Sequence, residues 1–107
     1  MDEPAIPEVT ADEARTRLEA GALLVDVREE KEWQRARIPG AVFKPMSQLN
    51  AWWQELPTDR DVILQCRTGD RSARITAALT TQAGMTNVLN LAGGIIAWHE
   101  AGFDVET

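Results

Sequence analysis

The stretch Leu64–Leu79, LQCRTGDRSARITAAL, changes character twice within a few residues. It closes the apolar run DVILQC (Asp61–Cys66), short and β-branched like a strand buried on both faces. A polar loop with Arg67, Gly69 and Arg71 follows, and then Ile75, Ala78, Leu79 and Gln82 or Ala83 fall on one face of a helix that Gly84 ends. Strand, loop and helix in that order are a unit of a parallel sheet. In open sheets of this kind, sites gather where strands end at their carboxyl side. Cys66, the only cysteine in the chain, stands at that place.

The same alternation continues outward. ALLVDV (Ala22–Val27), IPGAVF (Ile38–Phe43) and NVLNL (Asn87–Leu91) supply further strands or strand entries. Between them, TADEARTRLEAG starts at Thr10 with Glu13 at capping-box spacing and stops at Gly21. REEKEWQRA reads as a short helix, SQLNAWWQEL as a helix closed by Pro57, and GGIIAWHEAG as a closing helix behind paired glycines. Alternation of this kind defines an α/β domain around a mainly parallel sheet. Residues 1–9, with Pro4 and Pro7, read as an extended lead-in, and residues 10–107 as a single domain.

A chain of 107 residues, 44% hydrophobic and 26% charged, holds one core and no more. The formal net charge of -6 argues against nucleic acid and anionic membranes as partners. The charge is uneven: six acids face two arginines in the first twenty residues, whereas Arg28–Lys44 carries five bases against three acids. Arg67, Arg71 and Arg74 face only Asp70. A cationic site on an anionic protein suits a small anionic substrate, with a mixed solvated surface as the other reading. One cysteine permits neither an intramolecular disulfide nor a cysteine-rich metal site. No apolar run has membrane-span length and the N-terminus is acidic, so the expected location is cytoplasmic.

Free cysteine is among the most buried residue types, so Cys66 as core filler is the plain alternative to Cys66 as nucleophile. The loop decides for chemistry. A CRTGDR connection above a helix N-terminus places unpaired amides and the positive dipole end beside the sulfur. Gly69 permits a tight curve that aims successive N–H groups inward, and Arg67 and Arg71 add positive charge. All of these favour the thiolate, the nucleophilic form, and place the pKa below the free value of about 8.5.

With those residues in view, CRTGDRS resembles the active-site loop of the rhodanese sulfurtransferases, whose pattern is Cys-Arg-x-Gly-x-Arg followed by Ser or Thr. LLVDVREEKEWQRARIPGAV resembles the family's Asp-Val-Arg, acid-aromatic and Ile-Pro-Gly-Ala signature, and LAGGIIAWHEAGFDV its closing signature. The resemblance spans roughly residues 10–105. It implies the rhodanese-like fold, with a central mainly parallel sheet of about five strands and helices on both faces. Four residues separate Cys66 from Arg71, one fewer than in phosphatases and arsenate reductases of the same fold. The tighter ring suits a sulfur bound to cysteine rather than a whole phosphate. One departure is Ala36-Arg37 in place of the usual Gly-His before Ile38, which bears on local loop shape and substrate preference.

The resemblance implies a double displacement with no metal or organic cofactor. Cys66 takes a sulfane sulfur from a small anionic donor such as thiosulfate, then passes it to cyanide or to an external thiol, a small thiol or a redoxin. Backbone amides from Arg67 to Ser72 cradle the persulfide, and Arg67 and Arg71 steer the donor. Thr68 and Asp70 shape the loop through side-chain to backbone bonds, and Ser72 is the expected N-cap with its hydroxyl near the sulfur. Arg35, Arg37 and Lys44 are a candidate docking region for the acceptor. Two alternatives stay open: a non-catalytic rhodanese-like binding or sulfur-carrier module, and a cysteine-dependent phosphatase or arsenate reductase.

Further residues carry supporting expectations. Asp26 and Arg28 end the first buried strand beside the loop, where the carboxylate is placed to hold a loop arginine; Arg28 and Glu32 have helical pairing distance. Trp33 and Trp98 read as core anchors and His99 as an exposed helical residue. Adjacent Trp52 and Trp53 cannot both face one core, which leaves one for a helix edge, the pocket or a partner surface.

Overall fold

The structure, a computed structural model, describes residues 6–107. At its centre β4 (Val62–Gln65) is buried at every position. β2 (Leu23–Asp26) and β5 (Val88–Leu91) flank it, and β3 (Val42–Phe43) and β1 (Glu8–Val9) close the edges in the order β1-β5-β4-β2-β3. Every pairing in this five-stranded sheet is parallel, as the alternation of strands and helices requires, because parallel neighbours need a crossover between them.

Two apolar cores, one on each face, explain why β4 has no polar parity. Val62, Leu64 and Cys66 share one core with Val25, Trp52, Ile75 and Leu79. Ile63 turns to the other, with Leu24, Ala14, Ile95 and Trp98. Burial of each such aliphatic side chain contributes about 1.5–3 kcal/mol. The first core is covered by α4 (Asp70–Thr81) and α3 (Leu49–Trp52), the second by α1 (Ala11–Glu19) and α5 (Gly94–Glu100). Helices therefore lie on both faces, and Cys66 continues the parity of Val62 and Leu64 onto the α4 side.

α1 begins where its capping box places it: the Thr10 amide donates to Glu13 Oε1 at 2.8 Å and the Glu13 amide to Thr10 Oγ1 at 3.2 Å. Several elements differ from expectation. Part of the expected lead-in, Glu8–Val9, is the outer strand β1, since the Asn90 and Ala92 amides reach the Pro7 and Val9 carbonyls; residues 1–5 lie outside the described residues. SQLNAWWQEL is not one helix but a single turn of α-helix between two 3-10 turns, Met46–Gln48 and Trp53–Glu55. Trp52 points into the core and donates its indole N–H to the Pro45 carbonyl at 2.8 Å, while Trp53 stays half-buried beside it. Trp98 is buried as expected, but Trp33 is not a core anchor. It sits on α2 (Glu30–Arg35), which buries no residue, and covers edge strand β3 by packing on Phe43 at 5.2 Å between centroids. His99 is exposed.

Candidate active site

β4 delivers Cys66 to the carboxyl edge of the sheet, and the chain turns at once. Gly69, with φ of 96°, is the N-cap of α4. The curve turns two amides onto the sulfur: Gly69 N lies 3.2 Å and Ser72 N 3.5 Å from Cys66 Sγ. Ser72 is not the N-cap, because the left-handed glycine starts the helix three residues earlier. Its hydroxyl instead lies 3.4 Å from Sγ and 2.6 Å from Asn90 Oδ1 on β5.

The loop's carbonyls face the other way, and α5 is the reason. The Ile95 amide donates to the Cys66 carbonyl at 2.9 Å and the Ile96 amide to the Arg67 carbonyl at 3.3 Å. Only glycine allows so close an approach. A Cβ on Gly94 would collide with the Cys66 carbonyl oxygen and lie 2.6 Å from that of Arg67. With the carbonyls engaged on α5, the amides are left to point at the sulfur.

The charged side chains distribute differently from expectation. Arg71 makes a bidentate pair with Glu32 of α2 at 2.7 and 2.8 Å. Asp26 does not hold a loop arginine. It is fully buried and is itself gripped by Arg28, whose guanidinium donates to it at 2.8 Å and reaches on to the Ala36 carbonyl. This also removes the expected Arg28–Glu32 helical pair: the chain folds Arg28 back over its own strand end. The pair therefore fastens the β2 end to the Ala36–Arg37 segment. Thr68 and Asp70 are exposed and their side chains make no hydrogen bond among the described residues; Gly69 and the α5 amides shape the loop in their place. Arg67 is exposed at the rim. Of the basic region, Arg37 pairs with Glu106 at 3.4 Å and Lys44 with Glu55 at 3.1 Å, so much of its charge is already answered.

These contacts set the state of the sulfur. Burial pushes the Cys66 thiol up, but the hydrogen bonds directed at the sulfur from Ser72 and from the Gly69 and Thr68 amides outweigh it, and the pKa lies below its ordinary value. The residue is only 1% exposed. It is more enclosed than a free nucleophile, and a reactant reaches it only past the loop's own rim. A cleft of about 910 Å³ opens beside that rim, with Arg67, Arg35, Ile96, His99 and Phe103 in its wall, though Cys66 is not part of the lining.

Three contributors escape a reading by residue type. Glu32 carried a signal, an acid next to an aromatic, but its partner lies 39 residues away. Asn90 was marked by being a polar residue inside an apolar run, and Gly94 by its pairing with Gly93. Gln65, fully buried beside Asp26 in register, has no hydrogen-bond partner for either amide atom among the described residues.

The comparisons with known proteins agree with this geometry. The family model for the rhodanese-like domain matches residues 10–101. A protein named sulfurtransferase from Allochromatium vinosum is 45% identical over 83 residues, covering 78% of this chain and 77% of that protein. The probable adenylyltransferase/sulfurtransferase MoeZ of Mycobacterium tuberculosis is 40% identical over 94 residues; the match covers 84% of this chain but only 24% of that protein. Among solved structures, a rhodanese-related protein from Thermoplasma volcanium superposes with a TM-score of 0.81 at 27% identity, over 94% of this chain and 97% of that one. No helix among the described residues is long and apolar enough to cross a membrane.

Proposed function

The chain belongs to the rhodanese-like domain family, and from that premise we propose that it is a sulfurtransferase working through a persulfide on Cys66. The observation that carries the reading is the convergence of the Gly69 and Ser72 amides on Cys66 Sγ. Donors fixed before reaction stabilise negative charge without reorganising, and here that charge sits on sulfur in both the thiolate and the persulfide.

In the first half-reaction the Cys66 thiolate attacks the outer sulfur of thiosulfate or a related donor. The sulfur–sulfur bond of the donor breaks, sulfite departs with the bonding pair, and Cys66 holds a persulfide anion. In the second, an acceptor thiolate or cyanide attacks the outer sulfur and the Cys66 thiolate is restored. Charge and electrons balance in each step without an oxidant. Arg67 guides the anionic donor at the rim, while Arg71, tied to Glu32, braces the loop. A lone cysteine offers no internal thiol to collect the sulfur, so an external thiol is the acceptor, and the reducing cytoplasm is the fitting compartment.

Incubation with thiosulfate, followed by intact mass measurement, tests the reading: Cys66 gains one sulfur atom, cyanide removes it as thiocyanate, and Cys66→Ala shows neither. Absence of sulfur uptake from thiosulfate and from a small organic persulfide would overturn it. Release of phosphate from an aryl phosphate would favour the phosphatase reading instead.

A further inference from the structure

The Ser72 hydroxyl has two neighbours that both call for its proton. Asn90 Oδ1 is 2.6 Å away and Cys66 Sγ 3.4 Å away. A hydroxyl has one proton to give. Which neighbour receives it depends on the orientation of the Asn90 amide, and that is settled one strand further out. Asn90 Nδ2 donates to Glu8 Oε2 at 2.9 Å, from the residue directly opposite it on β1. A carboxylate presents only acceptors, so it must face the NH₂ side of the amide. The carbonyl side then faces Ser72. Asn90 is 1% exposed and Ser72 fully buried, so water offers no substitute donor.

With Asn90 held this way, the Ser72 proton lies toward Oδ1, and Oγ turns a lone pair to the sulfur. A thiol S–H satisfies that lone pair; a thiolate does not. We infer that Glu8 and Asn90 are positioning residues that fix the direction of the Ser72 hydroxyl and so restrain the ionisation of Cys66. The amides of Gly69 and Ser72 pull toward the thiolate, and this side-chain relay pulls back. The opposition has a use, because a thiolate of very low pKa is a weak nucleophile, and the best attacking thiol titrates near the working pH.

The other charged groups around the sulfur are not part of the relay. Arg71 is paired with Glu32 from α2, Asp26 with Arg28 at the end of β2, and Arg67 and Asp70 are exposed on the rim.

The inference rests on Cys66 being the reactive thiol of the proposed function, yet its test needs no sulfur donor. The rate of iodoacetamide alkylation at Cys66 is followed against pH in wild type, Glu8→Ala, Ser72→Ala and the double variant. In Glu8→Ala the Asn90 amide is free to turn its NH₂ to Ser72, which releases the hydroxyl to the sulfur. The alkylation midpoint should fall by about one unit, the scale of one hydrogen bond to a charged group. In the Ser72→Ala background the same Glu8 substitution should leave the midpoint where it is. A midpoint that is unchanged or raised in Glu8→Ala overturns the inference. So does an equal fall in both backgrounds, which is what loss of the Glu8 charge acting through space would give. Glu8→Met, which keeps most of the side chain's length without an oxygen acceptor, should shift in the same direction and carries the test should Glu8→Ala loosen β1. Failure of sulfur uptake would strike the proposed function and leave these midpoints readable.

Discussion

Glu32→Gln isolates the ion pair that ties the active-site loop to α2. Hydrogen bonds from the Arg71 guanidinium hold the Glu32 carboxyl down to about 2 from an ordinary 4.5, against an opposing push from partial burial. A carboxyl depressed on folding stabilises the native state above its unfolded pKa, and that contribution disappears as pH falls through the folded value. The window is therefore about pH 4.5 down to about pH 2. A shift of that size corresponds to about 3 kcal/mol at 1.36 kcal/mol per unit. The two side chains are 32% and 31% exposed, so solvent screens the pair, and about 1–2 kcal/mol is the expected share. Urea unfolding of wild type and Glu32→Gln side by side should give a gap of that size at pH 7. The gap should narrow below pH 4.5 and close near pH 2, because wild type then also carries a neutral side chain at this position. Other carboxyls titrate in both proteins and cancel in the difference. A gap equal at pH 7 and pH 3, or no gap at pH 7, would refute the assignment of Arg71 to Glu32.

The same pair predicts opposite effects on the sulfur: Arg71→Ala, which leaves Glu32 uncompensated, should raise the Cys66 alkylation midpoint, and Glu32→Gln should lower it. Midpoints that do not separate would remove the pair from the electrostatics of the site. Gly94→Ala places a methyl group against the Cys66 and Arg67 carbonyls at a φ of 58°; it should cost about 1–3 kcal/mol in a thermal melt and raise the Cys66 midpoint as the loop is pushed off α5. A variant as stable as wild type with an unchanged profile would show that the α5 contact does not set the carbonyl directions. Thr10→Ala, which breaks the α1 capping box, should cost about 1 kcal/mol and leave the Cys66 profile untouched, measured by urea unfolding and alkylation.

What the sequence made legible follows from how far apart the partners are. Strand β4, its two-faced burial and the helix after it are written in neighbouring residues, and so is the Thr10–Glu13 box. The Cys66 loop was readable because its amides belong to the residues that follow the sulfur and Gly69 announces the turn. Side-chain partnerships are less legible, because spacing offers a charged residue several partners at once. Spacing pairs Arg28 with Glu32 four residues on, yet it folds back to Asp26, two residues before it, and Glu32 crosses to Arg71. Helix spacing counts only when both residues lie within the helix, and Arg28 precedes α2. The strand at Glu8–Val9 was hidden for a related reason: two residues carry no periodicity, and an edge strand is defined by the β5 backbone it pairs with. That placement also brings Glu8 to Asn90. A residue at the start of the chain thus reaches the hydroxyl beside the sulfur through one cross-strand pair, a route that only the register of a parallel sheet creates.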